Sequence, residues 1–220
     1  MIELHNLHKK YNIRGGKQKH ILRGVTTKFP KRNIGLMGEN GAGKSTLLRM
    51  IAGFELPDKG TIVKNVNVSF PLGFKGSFNG SLSGLQNTRF VARIYGKNTE
   101  EVIDYVKEFS ELGEHFYAPV KTYSSGMGAK LAFGVSLAID FDCYLIDELT
   151  AVGDKRFRNK SKEALKSKFD DDGANLIMVS HSEGTIKEYC DYGIIIRDGK
   201  LHEFDDIDEA VRFHNEYMDR

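Results

Sequence analysis

The 220-residue sequence has no tryptophan, two cysteines and four prolines, and its net charge is only +2. Cys143 and Cys190 match no metal-binding or disulfide spacing, so we expect two reduced thiols that pack in the interior. The small net charge argues against a dedicated nucleic-acid-binding protein, which would concentrate basic residues on one face. No apolar run approaches the roughly 20 residues of a membrane-spanning helix, and the start, MIELHNLHKKY, lacks the apolar core of a signal peptide. If the protein works at a membrane, we expect another chain to supply the spans.

The apolar residues that are present form a mixed pattern of strands and helices. Apolar runs and alternation predict strands at 1–11, 20–30, 33–38, 61–70, 141–148 and 175–182, and a hairpin over 192–204 that turns at Asp198-Gly199. Helical spacing predicts helices at 45–54, 85–96, 100–112, 124–140, 154–169, 185–191 and 207–218. The glycine-rich stretch from Pro71 to Gly84 is predicted to be a loop. The fold class is therefore α/β, with a mostly helical insertion near residues 81–136.

Two apolar stripes on the predicted helices of the insertion are expected to be core rather than cofactor contacts. They consist of Phe90, Val91 and Ile94 in the first helix and Val102, Ile103, Val106 and Phe109 in the second.

The stretch GENGAGKS, from Gly38 to Ser45, fits the phosphate-binding pattern G-x-x-x-x-G-K-[ST]. An apolar strand precedes it and an amphipathic helix follows it, as this motif requires. Its glycines allow backbone N–H groups to turn toward one anion. We expect Lys44 to reach the β- and γ-phosphates and Ser45 to bind Mg²⁺.

Two acids end the predicted strand CYLIDE, and a histidine ends the strand NLIMVSH. Asp147 is expected to hold Mg²⁺, commonly through water, and Glu148 to act as general base toward the attacking water. The plainer alternative is a pair of acids that caps the next helix. His181 is expected to face the ligand crevice and contact a γ-phosphate, although a lone histidine is more often structural.

With these motifs in order along nearly the whole chain, the sequence resembles the ATP-binding subunits of ABC transporters. The resemblance implies a P-loop NTPase core with an antiparallel β subdomain and a helical insertion. It implies one nucleotide-binding domain over residues 1–220, with a core at about 1–80 and 137–220 and a helical subdomain at about 81–136. It also implies that Tyr11 stacks on adenine and that residues 151–154 form the D-loop. The ATP-binding residues implied by the motifs and the resemblance are Tyr11, Gly38, Glu39, Asn40, Gly41, Ala42, Gly43, Lys44, Ser45, Thr46, Ser124, Ser125 and Gly126.

The second serine- and glycine-containing turn, YSSGM at 123–127, stands at the place of the family signature LSGGQ. In this family two subunits face each other head to tail, so the signature of one copy is expected to bind the γ-phosphate held by the other. Ser125 and Met127 depart from the usual glycine and glutamine. The family's Q-loop glutamine is also missing, since Gly73 or Phe74 falls at its place. Gln86 is a weak substitute because it lies on a predicted helix.

Several segments are similar to the subfamily that exports capsular polysaccharide in Gram-negative bacteria. They are SFPLGFKGSFNGSL, FVARIYG, VKEFSELG, KTYSSGM, LAFG and YLIDELTAVGD. The similarity implies an ATP hydrolase, with ATP and Mg²⁺, bound to a membrane permease at the cytoplasmic face of the inner membrane. The implied cargo is a lipid-linked polysaccharide, which meets this chain only through the permease. Phe74 and Phe78, with neighbours near Phe90, are predicted to line the groove that receives a short permease helix; the alternative is that both pack into the local core.

Other classes of protein remain alternatives at this point. Within transporters, the cargo could be O-antigen, teichoic acid, a peptide or a drug. A DNA-repair ATPase of the same superfamily would have a long coiled coil between Lys44 and Ser124, and the spacing leaves no room for one. A ribosomal ATPase usually has two cassettes in one chain. A P-loop GTPase would need a guanine-reading NKxD, and the stretch at 159–162 fails at its last position.

Overall fold

The computed structural model describes residues 1–13, 16–72, 78–147, 154–170 and 173–218. The chain forms two compact units. The first, here called the sheet unit, consists of Met1–Pro71, Asp142–Glu148 and Asn175–Arg220. The second, the helical unit, consists of Leu72–Phe141 and Leu149–Ala174. The helical unit therefore includes a segment after residue 148 that lies outside the predicted insertion, and the single nucleotide-binding domain stays a prediction.

The sheet unit contains a five-stranded sheet with the order β5-β6-β3-β7-β8. Its strands are β3 (Ile34–Met37), β5 (Cys143–Asp147), β6 (Asn175–Val179), β7 (Tyr192–Arg197) and β8 (Lys200–Phe204). The first four strands in that order are parallel, and β8 pairs antiparallel with β7. Continuous apolar runs such as IGLM form these strands because a parallel sheet is buried on both faces. The predicted hairpin turn is confirmed: Asp198 and Gly199 have φ angles of 50° and 78°, as a tight type I′ turn requires.

A second sheet in this unit is antiparallel, with the order β2-β1-β4. Its strands are β1 (Ile2–Asn12), β2 (Gln18–Phe29) and β4 (Lys59–Lys64). The prediction of a strand over 61–70 is wrong in its second half. After Lys64 the chain leaves β1, and Val68 makes only an isolated bridge to Cys143. The neighbouring Asn67 N–H donates to the Asp142 carboxylate.

Three helices complete the sheet unit: α1 (Lys44–Ala52), α6 (Glu183–Tyr189) and α7 (Ile207–Met218). Gly53, with φ of 86°, ends α1 as predicted. Leucine and isoleucine side chains of β1, β2, β3 and α1 form one buried cluster with β5, β6 and β7. On the other side of the sheet, helix packing is very close: a Cβ atom at Gly193 would lie 2.2 Å from that of Ala210 in α7.

The helical unit contains α2 (Gly84–Ile94), α3 (Thr99–Ser110), α4 (Ser125–Ala138) and α5 (Lys155–Asp170), with two short 3₁₀ turns before α4. The predicted core stripe of α3 is confirmed, since Val102, Ile103, Val106 and Phe109 are buried. Phe109 stacks near Phe133 of α4 and meets Phe157 of α5 edge to face.

The predicted core stripe of α2 is wrong at two of its three positions. Val91 is buried, but Phe90 and Ile94 are 57% and 61% exposed. The buried side of this helix contains Asn87, Thr88 and Ala92, which are polar or small. A pattern based on large apolar residues therefore identified the wrong face.

The two cysteines are buried and free, as expected. Burial raises the pKa of both thiols to about 12, so neither is a reactive thiolate at neutral pH. Among the described residues, no helix combines the length and apolar character needed to cross a membrane.

Candidate functional site

The loop that follows β3 has a backbone that glycine adopts most readily. Gly38, Gly41 and Gly43 have φ angles of 140°, 79° and 113°. A Cβ atom at Gly43 would lie 2.2 Å from Ile21 Cγ2, and one at Gly38 would lie 2.6 Å from the Ile196 carbonyl oxygen. A side chain would collide with strand backbone at Gly38 and with the Ile21 side chain at Gly43, so these glycines fix the curve of the loop ahead of α1.

Lys44 places a positive charge inside this loop. It is the first residue of α1 and is buried, and its Nζ donates to the carbonyl oxygens of Gly38 (2.7 Å) and Glu39 (3.0 Å). The Ala42 N–H also donates to the Glu39 carbonyl oxygen, at 3.1 Å. The N-terminus of α1 adds a partial positive charge. Together the loop and the helix suit a phosphate group.

The charge of Lys44 also affects a histidine on α7. Burial lowers the pKa of His214, and the positive charge of Lys44 lowers it further, against smaller opposing effects of Glu183 and Glu39. His214 is therefore neutral at pH 7 beside the loop.

An acid at the end of β5 meets the first turn of α1. Ser45 Oγ donates to Asp147 Oδ1 at 3.1 Å. Mg²⁺ prefers oxygen ligands and is usually held by one or two protein groups, together with waters and substrate phosphates. Ser45 and Asp147 therefore fit a Mg²⁺ ion that accompanies a nucleotide.

One cavity of about 370 Å³ in the sheet unit brings most of the predicted residues together. It lies at the carboxyl ends of β5 and β6, where open parallel sheets bind ligands. Its lining includes the loop and first turn of α1, Asp147, and His181 just after β6. The sequence placed these residues at strand ends, and the fold gathers them at one edge.

Tyr11 lines the same cavity from β1 and is 36% exposed. Its hydroxyl donates to Glu55 and lies 3.3 Å from Thr46 Oγ1. Lys9 Nζ lies over the Tyr11 ring, 5.4 Å from its centroid. The ring therefore stands at the edge of the phosphate-binding loop with its hydroxyl end held.

The cavity also contains Lys19, Ile13 and Ile21, which the sequence did not predict. Lys19 pairs with Tyr11 across the β1–β2 hairpin, and its Nζ would lie 2.9 Å from a Cβ atom at Gly41. The register of this hairpin was the signal that could have identified Lys19. It depends on where the turn falls in a glycine-rich loop, which the sequence leaves open.

The predicted signature residues belong to the helical unit. Ser124 is the N-cap of α4, and its Oγ accepts a hydrogen bond from the Met127 N–H at 3.2 Å. Ser124 and Ser125 are exposed. Among the described residues, a Cβ atom at Gly126 would meet no atom closer than Ser124 Oγ at 4.0 Å, so packing against them does not require glycine there.

Several predicted residues lie outside the described residues: Glu148, the D-loop residues 151–153, and Gly73 and Phe74 at the place of the missing glutamine. Gln86 is described and is occupied by a capping box. Its Oε1 accepts from the Ser83 N–H, and Ser83 Oγ accepts from the Gln86 N–H. This side chain therefore stabilises the start of α2.

A glycine-rich loop between a buried strand and a helix, with a serine–aspartate pair beside it, defines a P-loop nucleotide-binding protein. The chain belongs to the ABC transporter family, whose model matches residues 22–151. The predicted class, an ABC-type ATP hydrolase, is confirmed at the level of the family.

Individual proteins are similar over almost the full length. The ATP-binding protein BexA of Haemophilus influenzae is 47% identical over 98% of this chain and 99% of its own length. The capsule polysaccharide export ATP-binding protein CtrD of Neisseria meningitidis serogroup B is 46% identical over the same shares of the two chains. A solved ATP-binding cassette, described as dimeric and bound to ADP and phosphate, superposes with a TM-score of 0.76 at 20% identity, covering 93% of this chain and 98% of its own. The predicted fold class is thereby confirmed.

Proposed function

We propose that this chain is the ATP-hydrolysing subunit of an exporter that moves lipid-anchored capsular polysaccharide across the inner membrane. The observation that carries the ATPase assignment is the contact between Ser45 and Asp147 beside the Lys44 loop. The cargo assignment is supported by CtrD, a near full-length relative named for capsule polysaccharide export.

Different residues of the sheet-unit cavity bind different parts of the nucleotide and its Mg²⁺ ion. The loop and Lys44 hold the β- and γ-phosphates, and the Tyr11 ring stacks on adenine. Ser45 and Asp147 hold Mg²⁺, which when bound neutralises charge on the phosphate oxygens. Glu148 orients the attacking water and accepts its proton. His181, which lines the cavity, contacts the γ-phosphate.

The second half of the site comes from another copy of the chain. Ser124, Ser125 and Gly126 bind the γ-phosphate held by the loop of the facing copy. Glycine in a helix costs about 1 kcal/mol relative to alanine, and at Gly126 no atom of the residues that the structure describes demands it. A glycine at this position allows close approach of the phosphate group that another copy of the chain holds.

The partner at the membrane is a permease, which holds this chain at the cytoplasmic face. Phe90 and Ile94 lie one turn apart on α2 and are both mostly exposed, and Phe78 is half-buried. Exposed apolar side chains on one helix are the anchors that a docking helix uses. The exposure of Phe90 and Ile94 supports a docking face on α2. The half-buried Phe78 does not distinguish the groove from packing into the local core, and Phe74 lies outside the described residues.

The experiment compares one variant that should lose ATP hydrolysis with another that should lose ATP binding. Glu148→Gln should bind ATP at near-parental affinity, hydrolyse it about 100-fold or more slowly, since general base catalysis contributes this much, and accumulate as a dimer with its permease. Lys44→Ala should lose most ATP affinity, whereas Lys59→Ala, at an exposed position of β4, should behave like the parent.

In cells, Glu148→Gln should abolish surface capsule while polysaccharide accumulates inside. Parental turnover in the purified Glu148→Gln variant would refute the general-base role, and unchanged ATP binding in Lys44→Ala would refute the P-loop assignment. Normal capsule together with loss of another surface polysaccharide would show that the cargo is different.

A further inference from the structure

A carboxylate outside the predicted site holds the hydroxyl of Tyr11. Glu55 follows α1, and its side chain is only 19% exposed. It accepts hydrogen bonds from the Tyr11 hydroxyl, from Arg49 Nε at 3.1 Å and from Lys9 Nζ at 2.9 Å. Two cations and one phenol thus converge on a single carboxylate.

The same group of side chains reaches the phosphate-binding loop. Arg49 Nη2 donates to Thr46 Oγ1 at 3.2 Å and lies 3.4 Å from the Tyr11 hydroxyl. Thr46 is buried in the first turn of α1, directly after Ser45. The tyrosine on β1 is therefore tied through Arg49 and Glu55 to the helix that carries Lys44.

The two cations keep the carboxylate of Glu55 charged. Burial raises the pKa of Glu55, but hydrogen bonds from Tyr11, Lys9 and Arg49 outweigh that effect and hold the pKa below its ordinary value. A hydrogen bond to a charged acceptor is about twice as strong as one between neutral groups, so the Tyr11 hydroxyl is held firmly.

The Tyr11 ring borders the cavity and has a cation over one of its faces. Lys9 Nζ lies over the ring at 5.4 Å from the centroid, and the ring itself lines the cavity beside Ile13 and Ile21. A planar base stacks on the flat face of the ring, and fixing the ring plane before binding reduces the entropy lost on binding.

We propose that Glu55 is a positioning residue for base recognition, which sets the plane of the Tyr11 ring for stacking on the adenine of ATP. This inference rests on the proposed ATPase function. The competing role is purely structural: Glu55 would tie α1 to β1 without affecting the base. The two roles differ in which end of the nucleotide is affected when the carboxylate is removed.

The test measures the affinities of ATP and of inorganic tripolyphosphate, which lacks the base, for the full chain with Mg²⁺. Glu55→Gln should weaken ATP binding about five- to tenfold, because the hydrogen bond that holds the Tyr11 hydroxyl loses its charged acceptor and is weakened. Its affinity for tripolyphosphate should change less than about twofold, because the loop and Lys44 remain in place. Glu209→Gln, at an exposed position of α7, is the matched control and should match the parent for both ligands.

A double-mutant cycle with Tyr11→Phe completes the test, because it keeps the ring and removes the held hydroxyl. In the Tyr11→Phe background, Glu55→Gln should have little further effect on the affinity for ATP.

Equal losses of affinity for ATP and tripolyphosphate, or the same loss of ATP affinity in both backgrounds, would overturn the proposal in favour of the structural role. If Glu55→Gln fails to fold, Tyr11→Phe alone decides: it should weaken ATP and spare tripolyphosphate, and unchanged ATP affinity would overturn the proposal. Failure of the parent to bind either ligand would instead count against the proposed function.

Discussion

At the scale of single residues, Asp140 links two lysines of the helical unit and gives a prediction about pH. Its carboxylate accepts hydrogen bonds from Lys168 at 2.8 Å and Lys97 at 2.9 Å, and these bonds hold its pKa below the ordinary value. Asp140→Asn should lower the free energy of unfolding by about 0.5–1 kcal/mol at pH 7, since the pairs are largely exposed and screened by solvent.

The sign of the pH dependence follows from the lowered pKa of Asp140. The stabilisation is fully present above the unfolded-state pKa and is lost as the pH falls through the folded-state pKa. The difference between parent and variant in urea unfolding should therefore be constant from pH 5 to 7 and shrink only below about pH 4. A difference that grew toward acid pH would contradict the assigned cause.

The sequence could identify the site residues whose positions follow from one continuous segment or from the end of a strand. Gly38 to Ser45 form one continuous loop, and Asp147 and His181 end strands that a parallel sheet must align at one edge. Glu55 could not be identified in this way, because its partners Lys9 and Tyr11 are more than 40 residues away in sequence and reach it only through tertiary folding. Lys19 was missed for a similar reason, the unknown register of a hairpin.

At the scale of elements, the exposed face of α2 gives a prediction about the permease. Phe90→Ala and Phe78→Ala should each weaken co-purification of the permease and reduce export, because apolar anchors contribute much of the energy of a docked helix. Both variants should remain folded and bind ATP, because Phe90 is mostly exposed and Phe78 is only half-buried.

The matched control for this docking prediction is Tyr117→Ala in the same unit, where the ring is 48% exposed. It should not change permease association. Parental yield of the complex with both phenylalanine variants, together with normal capsule, would show that docking occurs elsewhere.

Elements were predictable where one face is uniformly apolar, as in α3. The helix α2 was also predicted, but its buried face was not, because that face is mostly polar or small and hydrophobic periodicity detects only large apolar side chains. The end of β4 was not predicted, because the strand stops where its pairing with β1 stops, at Ile2 and Lys64, and no local pattern indicates that register.

At the scale of the whole molecule, the two halves of the site should complement each other between copies. A Ser124→Arg chain mixed with a Lys44→Ala chain gives mixed dimers in which one composite site has both defects and the other has neither. Arginine at this exposed N-cap position should block the γ-phosphate seat by its bulk. Mixtures should therefore regain ATPase activity that neither variant shows alone, as measured by phosphate release.

The control for this mixing experiment pairs each variant with itself at the same total concentration. If mixed dimers form and no activity returns, the sites are not shared between copies.

Helix α7 approaches β7 so closely that Gly193 and Ala210 cannot be substituted independently of each other. Because Gly193 and Ala210 leave no room for one methyl group, their spacing is set by backbone, and no change of rotamer can relieve a clash. Gly193→Ala should lower the unfolding free energy by about 1–3 kcal/mol, as overpacking does, and Ala210→Gly should act as its suppressor and restore part of the loss. A double variant less stable than Gly193→Ala alone, in a thermal melt, would contradict this pairing. If Ala210→Gly relieves the clash that Gly193→Ala creates, the side chains at these two positions can change size only in opposite directions.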